Sequence, residues 1–397
     1  MGCIVTEFAY KFKPIQGFAK DSILFGLLFS ILSFPSTNGI NEGMNTLRAV
    51  TLAHGKESTI LLADDLKDLS SHLGNYGRSV LWVFDTNTAK LFKQLPPVHI
   101  VLESGEVSKN FTSLERILSS AMDEGLARDG RIIGFGGGVV CDMAAFAASI
   151  YMRGCHLTLV PTTLLCMVDA SVGGKAAIDF RGLKNMVGSF YPADEILISF
   201  DTLRTLSDKE FLNGLAEVIK HALLSQDEEL YKLLLTKKNE ILSRESESLK
   251  RLLDLSLAVK IWYIEQDPTE SLGIRQVLNL GHTFGHALES SSHFSLGGHG
   301  ACVAWGTGRA LEAGATLGIT DKAYASGAAK LFKSYGYDMD YRIGRGDWID
   351  FREHLLKDKK KEAGKVLFVL MEGQGKATLK PLDMQVVQHL VITKPIF

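Results

Sequence analysis

The stretch Arg131-Ile-Ile-Gly-Phe-Gly-Gly-Gly-Val-Val-Cys-Asp-Met-Ala-Ala-Phe-Ala-Ala-Ser-Ile-Tyr151 joins a short apolar run to a helical pattern through three glycines. The run 131–135 predicts a buried strand, and residues 139–151 predict a helix. At residues 136–138 the bare backbone would let a pyrophosphate reach the unpaired N–H groups of the helix N-terminus. The turn is not the GxGxxG fingerprint, and a tight turn without a ligand would look the same.

The sequence on the N-terminal side of this turn repeats the alternation of strand and helix. Runs 80–84 and 98–102 read as further strands, and a helix follows near 114–125. Such alternation predicts a parallel sheet with ligands at the carboxyl ends of its strands. Asp85 and Asn87 follow the first run, where a ribose hydroxyl often finds a partner. An Asx turn explains them equally well.

From about residue 206 the apolar residues recur at helical spacing, as in 211–224, 227–235 and 249–264. We therefore predict an α/β fold: a Rossmann-like domain with a parallel sheet, followed by an all-α domain. The expected boundaries are 1–43 for an N-terminal extension of uncertain status, 44–200 for the nucleotide-binding domain and 201–397 for the helical domain.

Composition and charge limit the class of protein. The chain has 397 residues, 46% of them hydrophobic, and a net charge of −2, which suits two globular domains. Nucleic acid and anionic membranes both require a basic surplus, so neither is expected as a partner. Five cysteines without CxxC spacing predict reduced thiols in a cytoplasmic protein. The apolar run 22–34 imitates a signal peptide but is short for a membrane span.

Three histidines lie close together in a chain that has only eleven. His282 and His286 share one face of a predicted helix, and His299 follows after a Ser/Gly-rich connection. Imidazole is the commonest nitrogen ligand for zinc, and a catalytic zinc usually has three protein ligands. Glu217 could form a metal pair with His221, or an ordinary helical ion pair with Lys220. The residues alone leave that choice open.

A polar constellation between these two regions suits a polyhydroxylated, phosphorylated small molecule. It combines threonine hydroxyls at 162–163, a carboxylate at Asp169, a flexible turn before Lys175, and the pair 184–185.

Taken together, these motifs resemble those of the 3-dehydroquinate synthases, a family of sugar phosphate cyclases. The resemblance covers about residues 46–390 and rests on the runs 136–142, 151–154, 160–164, 169–175, 184–188, 214–220, 275–289 and 358–360. It implies a fold similar to glycerol dehydrogenase and the iron-dependent alcohol dehydrogenases.

The resemblance also implies roles for individual residues. It implies that Glu217, His282 and His299 hold Zn²⁺ or Co²⁺, and that His286 instead faces the substrate. Residues implied to hold NAD are Asp85, Asn87, Glu106, Lys109, Gly136, Gly137, Gly138, Asp142, Thr162, Thr163, Lys184 and Thr205. Those implied to act on the substrate are Asp169, Lys175, Asn185, Lys220, Lys260, Arg275, Asn279, His286 and Lys359, with Arg153 reaching across a homodimer interface.

The implied reaction converts 3-deoxy-D-arabino-heptulosonate 7-phosphate to 3-dehydroquinate and phosphate, a step of the shikimate pathway to aromatic amino acids. Transient oxidation by NAD, β-elimination of phosphate, re-reduction and an intramolecular aldol closure would follow one another. The alternatives are a sister cyclase (2-epi-5-epi-valiolone or 2-deoxy-scyllo-inosose synthase), a metal-dependent polyol dehydrogenase, or a catalytically idle relative.

Five residues depart from the family pattern. Cys141, Ala145 and Leu183 replace glycines, and Asp179 replaces an asparagine. Ala301 replaces an acidic residue, so we expect weaker support for the adjacent zinc ligand.

Overall fold

The computed structural model describes residues 43–52, 55–76, 79–291, 297–357, 361–362 and 365–393, and the side chains of 361–365 are not described. The predictions for Lys359 and for residues 1–42 of the extension lie outside this part of the chain.

The strands form one large sheet and two small ones. In chain order they are β1 (Met44–Thr51), β2 (Glu57–Ala63), β3 (Val80–Asp85), β4 (His99–Leu102), β5 (Arg131–Gly136), β6 (His156–Pro161), β7 (Lys175–Phe180), β8 (Leu183–Phe190), β9 (Glu195–Ile198), β10 (Lys361–Glu362), β11 (Lys365–Gly373) and β12 (Lys376–Pro381). The large sheet has the order β1-β2-β9-β6-β5-β3-β4. Its pairs are parallel except β1 with β2. The predicted parallel sheet is confirmed.

The strand order places a ligand crevice next to the triple-glycine turn. From β3 the chain moves outward to β4 and then returns to the other side of β3 as β5. Between β3 and β5 the direction of winding reverses, and open parallel sheets bind ligands at such a point, beyond the carboxyl ends of their strands. Asp85 ends β3 and Gly136 ends β5, so both border this crevice.

The helices follow in two groups. Beside the sheet lie α1 (Leu66–Gly74), α2 (Phe111–Asp123) and α3 (Gly138–Ile150). The second group is α4 (Asp201–Arg204), α5 (Asp208–Leu224), α6 (Glu229–Thr236), α7 (Lys238–Leu242), α8 (Ser246–Gln266), α9 (His282–Ser290), α10 (His299–Thr316), α11 (Lys322–Ser334), α12 (Trp348–Lys357) and α13 (Met384–Ile392). The large sheet ends at Ile198 and α4 begins at Asp201, but the domain boundary at 200/201 stays a prediction.

The helical region carries a small sheet that the sequence reading did not foresee. Strands β10, β11 and β12 form an antiparallel three-stranded sheet. The run 366–371 is continuously apolar, and such a run does not by itself distinguish a buried strand from a buried helix. Across the described residues, no helix has both the length and the apolar character needed to cross a bilayer.

Candidate active site

A cavity of about 1000 Å³ opens between the β7–β8 hairpin and helices α5, α8, α9 and α12. It gathers residues that are up to 215 positions apart, from Asp142 to Lys357, on one surface. The predicted site residues that line it are Asp142, Asp169, Lys175, Lys184, Asn185, Lys220, Lys260, Arg275, Asn279, His282 and His286.

Glu217 lies behind the cavity wall, fully buried on α5, and faces two of the histidines. Its Oε1 atom is 3.5 Å from Nε2 of His282 and 3.9 Å from Nε2 of His299. Ligands bound at about 2.1 Å in a tetrahedral arrangement would be about 3.4 Å apart. The Glu217 oxygen is therefore spaced from each of the two nitrogens much as two ligands of one small divalent cation would be.

The tautomers of the two histidines follow from their hydrogen bonds. His282 Nδ1 lies 3.3 Å from the carbonyl oxygen of Leu280, and His299 Nδ1 lies 3.1 Å from Glu289 Oε2. A carbonyl can only accept, and so can an ionised carboxylate, so both Nδ1 atoms carry the proton. Each Nε2 lone pair is left on the side of Glu217.

This arrangement fits a cation better than it fits an empty pocket. Within the described residues, Glu217 Oε1 accepts no hydrogen bond although it is completely buried. A buried carboxylate oxygen beside two nitrogen lone pairs is electrostatically unfavourable unless a positive ion lies among them. The other oxygen of Glu217 contacts the ammonium of Lys220, so the helical ion pair that the sequence left open is also present.

Close helix packing brings these residues together. A Cβ atom at Gly306 of α10 would lie 2.1 Å from the carbonyl oxygen of Gly281, and one at Gly300 would lie 2.2 Å from that of Asn213. A larger residue at either position would prevent α10 from approaching these backbone atoms so closely. The start of α10 is thereby held against both α5 and the start of α9, which are the elements that carry Glu217 and His282.

His286 keeps a second donor set possible. Ring centroids of His286 are 5.1 Å from those of His282 and 5.7 Å from those of His299, and donor atoms of the three histidines lie within 4.8 Å of one another. His286 also lines the cavity. Whether Glu217 or His286 is the third ligand stays a prediction, and the buried, unsatisfied Oε1 favours Glu217.

Glu289 is a site residue that the sequence reading missed. Its carboxylate joins His299 to Lys184 Nζ, which lies 2.8 Å from Oε1. Burial would raise the pKa of Glu289, but the hydrogen bond from His299 and the charge of Lys184 outweigh it and lower the pKa well below its ordinary value. Glu289 thus provides the carboxylate partner that the Ala301 substitution seemed to remove.

Asp169 and Lys260 form an ion pair at the cavity wall. Asp169 lies in a π-helical turn, Cys166–Ala170, and its carboxylate contacts Lys260 of α8. Burial opposes the charge of Asp169, but Lys260, Lys220 and His221 outweigh it and hold its pKa well below the ordinary value. Burial lowers the pKa of Lys260 to about 8, although Asp169 opposes this shift. Lys260 can therefore exchange a proton near neutral pH.

Arg275 is anchored with its guanidinium inside the protein, only 4% exposed. It donates to the carbonyl oxygens of Pro268 at 3.0 Å and Gly173 at 3.2 Å. These bonds fix a planar donor that is suited to a carboxylate. Three further titratable residues line the cavity and were not predicted: Glu270, which contacts Lys175, and His354 and Lys357 of α12.

Most of the predicted nucleotide residues lie at the carboxyl edge of the large sheet, whereas Lys184 lies on β8 and Thr205 follows α4. Asp85 ends β3, Glu106 and Lys109 follow β4, and Thr162 follows β6. Asp85 Oδ1 accepts from the backbone N–H groups of Asn87 at 2.9 Å and Thr88 at 2.7 Å. The Asx turn proposed as the alternative for Asp85 is therefore formed.

Lys109 links the nucleotide edge to the cavity. Its Nζ lies 2.6 Å from Asp142 Oδ2 and donates to Asn185 Oδ1 at 2.5 Å. Burial raises the pKa of Asp142 to about 6 against the opposing charge of Lys109. Asp179, the replacement for asparagine, accepts from the backbone N–H of Asn185 at 2.9 Å, which supports the left-handed φ of 54° at Asn185.

The remaining predicted residues are less central. Thr163 Oγ1 accepts from the backbone of Cys166, and Thr205 Oγ1 donates to the carbonyl oxygen of Thr202. Arg153 is exposed just beyond the end of α3. That helix has 13 residues and spans about 20 Å, so Arg153 is far from the triple-glycine turn of its own chain.

Comparison with known proteins agrees with this geometry. The chain matches the 3-dehydroquinate synthase N-terminal family over residues 99–213 and the C-terminal family over residues 214–361. A 3-dehydroquinate synthase from Alkaliphilus metalliredigens is 33% identical over 318 residues, which are 78% of this chain and 88% of the relative. One from Francisella tularensis subsp. mediasiatica is 34% identical over 332 residues, 81% of this chain and 91% of the relative.

Solved structures share the fold at lower identity. A 2-deoxy-scyllo-inosose synthase complexed with carbaglucose-6-phosphate, NAD⁺ and Co²⁺ has a TM-score of 0.76 at 20% identity, covering 87% of this chain and 99% of that one. A probable glycerol dehydrogenase from Sinorhizobium meliloti has a TM-score of 0.53 at 15% identity, covering 84% and 94%. The predicted fold class is confirmed, and the chain belongs to the 3-dehydroquinate synthase family.

Proposed function

We propose that this chain converts 3-deoxy-D-arabino-heptulosonate 7-phosphate to 3-dehydroquinate and phosphate, with NAD and a divalent metal as cofactors. The observation that carries the proposal is the single cavity, which Asp142 borders on the nucleotide side and His282 on the metal side. Bound NAD⁺ would accept and return a hydride, and bound Zn²⁺ or Co²⁺ would act as a Lewis acid on the substrate's hydroxyl oxygens. The chain's own residues would bind, orient and neutralise the substrate.

The charge of the cavity wall suits a substrate with a phosphate and a carboxylate. Six cationic side chains line it, against four carboxylates. A phosphate dianion and a carboxylate together carry about three negative charges, which the surplus of cations would bind. The cationic residues are Lys175, Lys184, Lys220, Lys260, Arg275 and Lys357.

Arg275 suits a substrate that carries a carboxylate as well as a phosphate. Its guanidinium is held by two backbone carbonyl groups and can pair bidentately with either anion, so a second anionic group on the substrate would give it a partner while the lysines bind the phosphate. Asp169 holds Lys260 at the wall, where the ammonium can donate a proton to a developing oxyanion or take it back. Asn279 and His286 line the same wall and supply further hydrogen-bonding groups.

One assay tests the proposal against its alternatives. The purified protein is given the seven-carbon substrate, NAD⁺ and Zn²⁺, and phosphate release is followed together with absorbance of NADH. We expect phosphate to be released in many turnovers per enzyme without accumulation of NADH, and a chelator to stop it. Accumulating NADH would indicate the polyol dehydrogenase. Phosphate release only from an uncarboxylated sugar phosphate would indicate a sister cyclase.

We also propose that the active form is a homodimer in which Arg153 serves the partner's site. Support comes from its exposure at the end of α3 remote from its own nucleotide turn. Arg153→Ala and Lys175→Ala proteins, each nearly inactive, are unfolded and refolded together. The refolded mixture should regain up to about a quarter of wild-type activity, since about half of the dimers would be mixed and each of these would hold one intact site. No regain would argue against a shared site.

The cytoplasm is the proposed compartment. The four described cysteines, Cys141, Cys155, Cys166 and Cys302, are all free and buried, which supports a reducing environment.

A further inference from the structure

We propose that Glu289 is a positioning residue that orients the metal ligand His299 and ties it, through Lys184, to the β7–β8 hairpin. The inference rests on the proposed metal site and concerns only this chain's residues around it. It would make the hairpin wall of the cavity and the metal site parts of one connected unit.

The two oxygens of Glu289 each have their own partner. Oε2 lies 3.1 Å from Nδ1 of His299, and Oε1 lies 2.8 Å from Nζ of Lys184. The carboxylate is about four-fifths buried, at 21% exposure of the side chain. Both bonds are charge-assisted and of normal length, so the position of each partner constrains the other.

Helix α9 carries the metal ligand His282 and also Glu289, the residue that orients the other histidine ligand, His299. Glu289 follows His282 by seven residues, which is two helical turns on the same face. His282 uses a backbone carbonyl, Leu280 O, for its Nδ1 proton, whereas His299 uses this carboxylate. A carboxylate partner fixes the imidazole ring and increases the basicity of its other nitrogen. Glu289 should therefore hold the His299 ring in place and increase the basicity of its Nε2 atom.

Lys184 extends the link to the substrate side. It stands beside Asn185 on β8, and β8 pairs with β7, which begins at Lys175. Asn185 and Lys175 both line the cavity. A hairpin displaced from the cavity would take Lys184 away from Glu289, and a substrate that holds the hairpin in place would favour the orientation of His299 that binds metal.

The simplest alternative is that Glu289 and Lys184 form an ion pair of little consequence, as many partly exposed pairs do. Glu289→Gln keeps the size of the side chain and removes its charge. Lys184→Met, tested without NAD or substrate, removes the link between Glu289 and the hairpin. Glu240→Gln alters an exposed ion pair with Lys237 and serves as the matched control.

The test measures metal affinity without substrate. Each apo-protein is titrated with Zn²⁺ in competition with a chromophoric chelator, and the visible spectrum is recorded with Co²⁺. We expect Glu289→Gln to weaken Zn²⁺ binding by roughly 10–100-fold and to change the Co²⁺ spectrum. Lys184→Met should weaken it by less, and the double variant no more than Glu289→Gln alone, because Lys184 acts through Glu289.

Glu289→Asp keeps the charge and should restore part of the affinity. The proposal is overturned if Glu289→Gln binds Zn²⁺ within about twofold of wild type and its apo-protein has an unchanged thermal midpoint. An equal loss of Zn²⁺ affinity in Glu240→Gln would also count against it, because it would assign the effect to general destabilisation. Because no substrate is present, a failure of the proposed reaction would leave these affinities unchanged. The two proposals can therefore fail separately.

Discussion

The nucleotide edge of the sheet holds partly buried carboxylates and the metal cluster (Glu217, His282 and His299) holds a fully buried one, and the two regions satisfy them differently. At the edge, Asp85 accepts from its own turn and Asp142 pairs with Lys109. In the cluster, Glu217 Oε1 faces the Nε2 atoms of His282 and His299 and accepts no hydrogen bond from the described residues. Asp85 and Asp142 thus have partners without a ligand, whereas in the cluster Lys220 contacts only one oxygen of Glu217 and the other oxygen faces the place where a cation would bind.

The difference predicts different consequences of losing each ligand. Removal of NAD should leave the fold nearly unchanged, because the turn and its ion pairs persist. Removal of the metal should uncover unfavourable electrostatics between α5, α9 and α10, which meet at the cluster.

The largest expected effect comes from Glu217→Gln. Loss of an orienting partner of a metal ligand costs roughly 10–100-fold in affinity, so loss of the ligand itself should cost more and abolish phosphate release. In wild type, Zn²⁺ at about 1,000 times its Kd should stabilise the fold by about 4 kcal/mol, and the variant should lack this stabilisation. Thermal unfolding of the apo and Zn²⁺-loaded forms measures both.

Glu240→Gln, which alters an exposed pair, is the control and should retain the Zn²⁺-dependent rise in melting temperature. A Glu217→Gln protein that is still stabilised by Zn²⁺, while His286→Ala is not, would show that the three histidines form the site. The contrast between edge and cluster would then need another explanation for Glu217.

A smaller effect is expected at the edge, where the first and last glycines of the triple-glycine turn should behave differently. A Cβ at Gly136 would lie 2.6 Å from the Val140 side chain, whereas one at Gly138 would lie 3.4 Å from Ala170, an ordinary contact. Gly136→Ala should therefore destabilise the fold by about 1–3 kcal/mol. Gly138→Ala should leave stability unchanged but weaken NAD binding about tenfold, which corresponds to only about 1.4 kcal/mol, because the added methyl group would stand where the pyrophosphate approaches.

Isothermal titration with NAD⁺ and thermal unfolding separate these outcomes. Unchanged NAD affinity in Gly138→Ala would show that the triple-glycine turn serves packing only, which is the alternative that the sequence left open.

Local patterns predicted much of the sheet and little of the cluster. Strands β3 and β5 and the turn after β5 follow from apolar runs and glycines within a few residues of one another. The histidine pair of α9 was visible because four-residue spacing puts both rings on one face. The contribution of Glu217 required the packing of α5 against α10, which depends on contacts between residues far apart in the chain.

Glu289 and the small sheet show what local reading could not supply. Glu289 was detectable in principle, because it lies two turns after His282 on the same helix, but its partner Lys184 is 105 residues away. Strand β11 was missed because a continuous apolar run has no period that separates strand from helix. In both cases the deciding information lies in tertiary contacts.

The smallest expected effect concerns the ion pair between Asp169 and Lys260 at the cavity wall. Burial lowers the pKa of Lys260 to about 8 while Asp169 opposes the shift, so the ammonium is lost as pH rises through 8. The KM for an anionic substrate should therefore rise above pH 8. The unfolded chain keeps this proton up to the ordinary pKa, so the cost of burying the cation is present below pH 8 and is relieved as pH rises further.

Asp169→Asn removes the charge that raises the pKa of Lys260, so the rise in KM should begin at lower pH. For a shift of about one unit, the protonated fraction at pH 8 falls from about a half to about a tenth, and KM should increase about fivefold. Lys260→Met should have a uniformly high KM without this pH dependence. If the KM of Asp169→Asn rises at the same pH as that of wild type, the bound substrate and not Asp169 sets the charge of Lys260. The cavity wall would then depend on its ligand for charge balance, as the metal cluster does and the nucleotide edge does not.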